Sequence, residues 1–216
     1  MTTTTTPVTP FLEDFLTASL QKPSPALEMI FNSGDVFGKK AMQISWLQAA
    51  FLQMLVKISN AKNILEVGTY VGFSASVFAT ASPQIESVVT CEIIPEHQQQ
   101  ASSNLMQHGL SDRVVSLLGD AKDLVLSSSL SRRKFDIFFL DGDKENYDHY
   151  LSVALTVLPP GGLFVIDNIL FKGELIGGSS GYSIGIRKLL EKIRSHPSFE
   201  VSHGTLGDGM LIARRR

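Results

Sequence analysis

From Asn63 onward the chain repeats one pattern: a short apolar run, a turn carrying glycine or an acid, then a stretch of helical length. The apolar runs cover residues 64–67, 86–92, 113–118, 135–140 and 163–166. Strands separated by helices need crossover connections, so the alternation predicts a largely parallel sheet with helices on both faces. The fourth run (Phe135, Asp136, Ile137, Phe138, Phe139, Leu140) is rich in aromatic and β-branched residues and reads as a buried central strand. It breaks off in Asp141-Gly142-Asp143-Lys144, and the fifth run ends likewise in Asp167-Asn168. Open α/β sheets take their ligands beyond the carboxyl ends of the strands. Two neighbouring strands delivering carboxylate and amide oxygens there make a pocket for a hard cation.

The remainder of the chain frames that sheet. Residues 11–20 and 26–31 read as short helices broken by Pro23 and Pro25, and a stronger helix is expected over 43–58, where Ile44, Leu47, Phe51, Leu55 and Ile58 recur at helical spacing. Further helices are expected from the first turn to residue 81, over 95–107, after Asp120 and over 146–158, where Pro159-Pro160-Gly161-Gly162 forms a stop. A Gly- and Ser-rich loop over 171–182 leads into a helix ending near Ser195. The last two runs, 199–203 and 210–213, are joined by Leu206-Gly207-Asp208-Gly209, so one of them should run antiparallel. The expected organisation is a flexible tail over 1–10 and one doubly wound, Rossmann-like α/β domain of seven strands over 11–216. Residues 11–60 would cap a core spanning 61–216.

Composition narrows the function classes. Lys and Arg number 19 against 21 Asp and Glu, and a net charge of −2 argues against broad nucleic-acid binding. The single cysteine, Cys91, excludes an internal disulfide framework and reads as a small core residue. No apolar run is long enough to cross a bilayer, and the threonine-rich start has no secretory pattern, so a cytoplasmic protein without membrane contact is expected. His97, His108, His149, His196 and His203 are scattered and read as surface or structural; core packing is the commoner fate of Trp46 and Tyr70.

The first turn, Glu66-Val67-Gly68-Thr69-Tyr70-Val71-Gly72, stands where a dinucleotide fold carries its glycine fingerprint, but with different spacing. Gly68 lets backbone approach a ligand, and Gly72 suits close packing of the following helix. Glu66 would repel a pyrophosphate and attract an amino group, while Ser74 lies in a helical first turn that can hold a carboxylate. This suits an amino-acid-bearing nucleotide better than NAD, although an ordinary tight turn would look similar. Glu92 closes the second run, where an acid can hold ribose hydroxyls, and Asp120-Ala121 closes the third, where an adenine edge can be met.

In these stretches the chain resembles the class I S-adenosylmethionine-dependent O-methyltransferases, and more narrowly the cation-dependent group that includes caffeoyl-CoA and catechol O-methyltransferases. The resemblance rests on residues 60–69, on 135–147 with Asp-Gly-Asp-Lys-Glu-Asn-Tyr, on 161–168, on 207–210 and on Arg214-Arg215. It implies that Asp141, Asp167 and Asn168 hold Mg²⁺, or else Mn²⁺ or Ca²⁺. It also puts Met42, Glu66, Gly68, Thr69, Gly72, Ser74, Glu92, Asp120, Ala121, Asp141 and Asp143 around S-adenosylmethionine. Lys144 matches the lysine taken as general base in the catechol enzymes, with Asp141 beside it. A homodimer and a small aromatic substrate with vicinal hydroxyls are further implications. Lys172 stands where plant caffeoyl-CoA enzymes carry an Asn, and nothing before Lys22 is basic, which argues against a CoA thioester. The rival acceptor is a hydroxylated uridine of tRNA, with Arg132-Arg133-Lys134 and Arg214-Arg215-Arg216 as candidate phosphate contacts. A nicotinamide oxidoreductase is disfavoured by the turn spacing and Glu66, and a non-catalytic cofactor sensor by the filled metal and base positions.

Overall fold

A computed structural model describes residues 9–127 and 129–216, so most of the expected flexible tail lies outside the described residues. Three helices precede the sheet: α1 (Pro10–Ala18), α2 (Pro25–Ser33) and α3 (Trp46–Ser59). The alternating region follows as β1 (Asn63–Val67), α4 (Phe73–Ala81), β2 (Ser87–Glu92), α5 (Pro95–Gln107), β3 (Val114–Leu118), α6 (Ala121–Leu126), β4 (Ile137–Leu140), α7 (Tyr147–Val157) and β5 (Leu163–Asp167). The chain closes with α8 (Gly181–Arg194), β6 (Phe199–Gly204) and β7 (Met210–Arg215). The seven-stranded sheet has the order β3-β2-β1-β4-β5-β7-β6. β7 runs antiparallel to both β5 and β6, so it is the reversed strand that the short final connection demanded.

Strand periodicity divides the interior into two layers. In β4, Phe138 and Leu140 face a core with Tyr147, Tyr150 and Ile186 from α7 and α8. Ile137 and Phe139 face the opposite core, with Leu52 and Val56 of α3 and Phe78 of α4. Both faces of the central strands are therefore buried, as the unbroken apolar runs required.

Several boundaries differ from the sequence pattern, each for a local reason. Pro25 does not break a helix; it opens α2 as the first helical residue, with the Ser24 hydroxyl accepting the N–H of Leu27. Gln43 and Ile44 lie outside α3 because Ser45 caps it: its hydroxyl accepts the Gln48 N–H while Gln48 Oε1 accepts the Ser45 N–H. β4 begins two residues late because Asp136 turns its carboxylate onto the N–H groups of Lys62 and Asn63, at 2.8 and 2.9 Å. Residues 144–146 form a 3₁₀ turn before α7, and the 171–182 loop contains another over Phe171–Gly173.

The turns after β1 and β4 meet backbone to backbone. Gly68 has a left-handed φ of 101°, and a Cβ there would lie 3.1 Å from the Asp141 carbonyl carbon and the Gly142 nitrogen. Gly68→Ala combines a strained φ with overpacking, and should cost about 2–4 kcal/mol of stability in urea denaturation. A loss below about 1 kcal/mol would show that the two turns can part freely.

Candidate active site

The carboxyl ends of β1, β2, β3, β4 and β5 open onto two cavities of about 410 Å³ each, which share Met42, Gln43 and Asp141 in their walls. The first lies over β1, β2 and β3. Of the residues expected around a cofactor, Met42, Gly68, Thr69, Ser74, Glu92, Asp120, Ala121, Asp141 and Asp143 line it. Glu66 and Gly72 do not. Gly72 caps α4 with a φ of 83°, and a Cβ there would come within 3.3 Å of Ala101 Cβ. The backbone at Gly72 thus lies against Ala101 of α5, and the close packing expected of this glycine is with that residue.

Glu66 is fully buried in the middle of the sheet, and both of its carboxylate oxygens lack a hydrogen-bond partner. Burial pushes its pKa up to about 8, with the charges of Asp141 and Glu92 adding to the effect. The hydroxyls of Ser74 and Thr90 offset part of this, but neither reaches hydrogen-bond geometry; Thr90 Oγ1 pairs instead with Thr69 Oγ1 at 2.5 Å. An orphaned buried acid behind the glycine turn suits a cationic group.

Glu92 is the opposite case. Its Oε2 accepts the N–H groups of Thr69 and Tyr70, and its Oε1 those of Ile93 and Ile94. One carboxylate thereby ties the turn after β1 to the turn after β2. His97 Nδ1 lies 3.8 Å from Glu92 Oε1, and its ring packs edge-on against Tyr70 at 4.8 Å. His97 and Tyr70 both line the cavity, a role the scattered histidines did not announce. Cys91, as expected, is a buried core thiol, its pKa pushed up to about 12 by burial.

The second cavity lies over β4 and β5 and gathers Asp141, Lys144, Asp167 and Asn168 with Gln48, Phe171, Lys172 and Asp208. Lys144 Nζ donates to the carbonyl oxygen and Oδ1 of Asp141, both at 3.1 Å. Asp143, held in a left-handed conformation, accepts from Asn146 Nδ2 at 2.7 Å and Tyr150 OH at 2.8 Å. Asp167 is 2% exposed, and burial together with the charge of Asp141 pushes its pKa up to about 7. Burial also raises Asp141, with Lys144 pulling against it. Among the described residues no cluster of three or more His, Cys, Asp or Glu forms a metal centre. The candidate donor set is two mutually repelling carboxylates and the Asn168 amide, which suits a hard cation that prefers oxygen.

A family model described as O-methyltransferase matches residues 24–216. A catechol O-methyltransferase of Mycobacterium tuberculosis is 30% identical over 197 residues, covering 91% of this chain and 89% of its own length. A caffeoyl-CoA O-methyltransferase of Mesembryanthemum crystallinum is 27% identical over 209 residues, with 90% of this chain and 81% of that protein covered. The crystal structure of an O-methyltransferase from Bacillus cereus in complex with SAH superposes with a TM-score of 0.88 at 31% identity, covering 95% of this chain and 97% of that one.

Glu66 makes stability depend on pH. Its folded pKa of about 8 lies above the ordinary 4.5, so the contribution is complete below 4.5 and is lost as pH rises toward 8. Glu66→Gln removes that titration. Urea denaturation between pH 5 and pH 8.5 should therefore show the variant gaining on the native protein as pH rises, and parallel curves would contradict the buried-acid assignment.

Proposed function

The chain belongs to the S-adenosylmethionine-dependent O-methyltransferase family, and from that premise we propose a divalent-cation-dependent transfer of a methyl group to a hydroxyl of a small catechol-like aromatic. The observation that carries this reading is the junction at Asp141. One carboxylate lies in the walls of both the cavity suited to the cofactor and the cavity that holds Lys144, Asp167 and Asn168. When bound, S-adenosylmethionine supplies the methyl group and the cation supplies Lewis-acid polarisation of the acceptor hydroxyls.

The chain's own residues do the remaining work. Asp141, Asp167 and Asn168 would hold the cation. Glu66, buried behind the cavity wall, would answer the cofactor's amino group through its charge, while in the wall Ser74 would meet the carboxylate, Glu92 the ribose hydroxyls, and the Asp120-Ala121 turn the adenine. Met42, common to both cavities, would pack where donor and acceptor meet. Lys144, once it has given up a proton and left Asp141 as the neutral amine, would take the acceptor's hydroxyl proton at Nζ. Phe171, packed edge-on against Tyr182 at 5.3 Å, gives the acceptor cavity an aromatic wall. Holding acceptor and cofactor in line supplies much of the rate.

The tRNA alternative finds less support, since five of its six candidate basic residues, all but the exposed Arg132, have local partners. Arg133 donates to Ser87, Lys134 to the Thr156 carbonyl, and Arg215 to the carbonyls of Leu155 and Leu158, while Arg214 and Arg216 flank Glu200. A cytoplasmic setting fits the single unpaired thiol, and among the described residues no helix is long and apolar enough to cross a membrane.

EDTA treatment should abolish transfer to a catechol, and Mg²⁺ or Mn²⁺ should restore it; full activity after EDTA would remove the cation from the reading. Lys144→Ala should show a deficit that shrinks as pH rises and the acceptor ionises unaided, whereas an equal deficit at every pH would make Lys144 a positioning group. We further propose a homodimer, because Phe11 and Phe15 of α1 and Phe51, Met54 and Ile58 of α3 expose apolar surface. Light scattering at micromolar concentration should give twice 23.6 kDa, and the single mass would count against the dimer.

A further inference from the structure

Gln48 stands in the first turn of α3, 119 residues before Asp167 in sequence, yet its amide is fixed at both ends. Oε1 accepts the Ser45 N–H at 2.9 Å, and Nε2 lies 2.8 Å from Oδ1 and 2.8 Å from Oδ2 of Asp167. The orientation of the amide is determined by chemistry: reversing it would set an NH₂ against the Ser45 N–H and an oxygen against a carboxylate. The side chain is 4% exposed. The β6–β7 turn backs it closely, since a Cβ at Gly207 would lie 2.5 Å from Gln48 Cδ.

A point equidistant from both oxygens of a carboxylate is where a chelated cation lies, and Gln48 Nε2 already fills it. A carboxylate offers about four lone-pair positions. Oδ1 of Asp167 accepts from Gln48 and, at 2.8 Å, from the Asn168 N–H, whereas Oδ2 accepts from Gln48. One lone pair on Oδ2 remains for a ligand. We infer that Gln48 is a positioning residue that restricts Asp167 to single-oxygen coordination and so biases the site toward a small octahedral cation over Ca²⁺. Ca²⁺ takes about six to eight oxygens and commonly chelates carboxylates, while Mg²⁺ demands near-ideal octahedral geometry and accepts single oxygens. The inference rests on the cation site proposed above.

Isothermal titration of the full chain with Mg²⁺ and with Ca²⁺ tests it without reference to activity. The native protein should bind Mg²⁺. Gln48→Leu, which opens the chelating position, should raise Ca²⁺ affinity relative to Mg²⁺ by about tenfold. Gln48→Glu keeps an acceptor for the Ser45 N–H and turns an oxygen toward Asp167; it should shift the ratio in the same direction, and serves if the leucine variant folds poorly. Ser45→Ala weakens the same helix cap but leaves the Gln48 amide on Asp167, so it should leave the ratio unchanged. Native protein that binds Mg²⁺, with a Ca²⁺/Mg²⁺ ratio within twofold of native in both Gln48 variants, would overturn the inference and leave the cation site standing. Native protein that binds neither ion would remove the cation site and this inference together.

Discussion

Negative charge held away from water is the constraint on which the carboxyl edge of this sheet depends. β1, β4 and β5 are adjacent, and each brings an acid to that edge: Glu66, Asp141 and Asp167. An isolated buried carboxylate is costly unless it is protonated or paired, and here both Glu66 and Asp167 are pushed toward protonation. Lys144 pairs directly with Asp141 and acts on Asp167 only as a smaller, more distant charge, while Gln48 offers Asp167 a dipole. Each remaining deficit is of a kind that a cationic ligand would answer. The apolar strands beneath, buried on both faces, keep that edge rigid while the charges stay uncompensated.

How much of this could be read from the sequence follows from where the information is stored. Alternation of apolar runs with helical stretches is a local signal, and it yields the parallel sheet and the reversed final strand. The acids at strand ends are likewise local to a run and its turn, so Asp141, Asp167, Glu92 and Asp120 emerge without a structure. Helix and strand limits were harder, because they are decided by single hydrogen bonds such as Ser45 to Gln48 or Asp136 to the backbone of Lys62 and Asn63. Gly72 was legible as a packing glycine, but Ala101 as its neighbour was not. His97 carries no local pattern, and the Ser45-x-x-Gln48 spacing announces a helix cap but not the bond to Asp167. Their neighbours in space, Glu92 and Asp167, lie on other elements, and no spacing along the chain encodes that approach.

The loop after β5 shows how the second cavity is shaped. Asn168, Phe171, Lys172 and Gly173 all adopt left-handed conformations, three of them without the freedom of glycine. Such backbone is sustained where surrounding bonds over-determine it. Asp208, in the β6–β7 turn, supplies them: both of its oxygens accept the Lys172 N–H, at 3.0 and 2.9 Å, and its carbonyl accepts the Leu170 N–H. The final hairpin therefore does more than complete the sheet. It braces the wall that carries Phe171 and Lys172, and through Gly207 it presses on Gln48.

That bracing has a consequence for modularity. The segment ahead of the sheet lends Met42, Gln43, Ser45 and Gln48 to the second cavity, and one of these side chains is bonded to a candidate ion ligand. Recombining this segment with that of a relative, as in chimera building or domain shuffling, would change the cavity wall and the surroundings of Asp167 in one step. If the proposed acceptor and cation sites stand, acceptor choice and ion preference would then be inherited together, so a lineage could not easily exchange one while conserving the other.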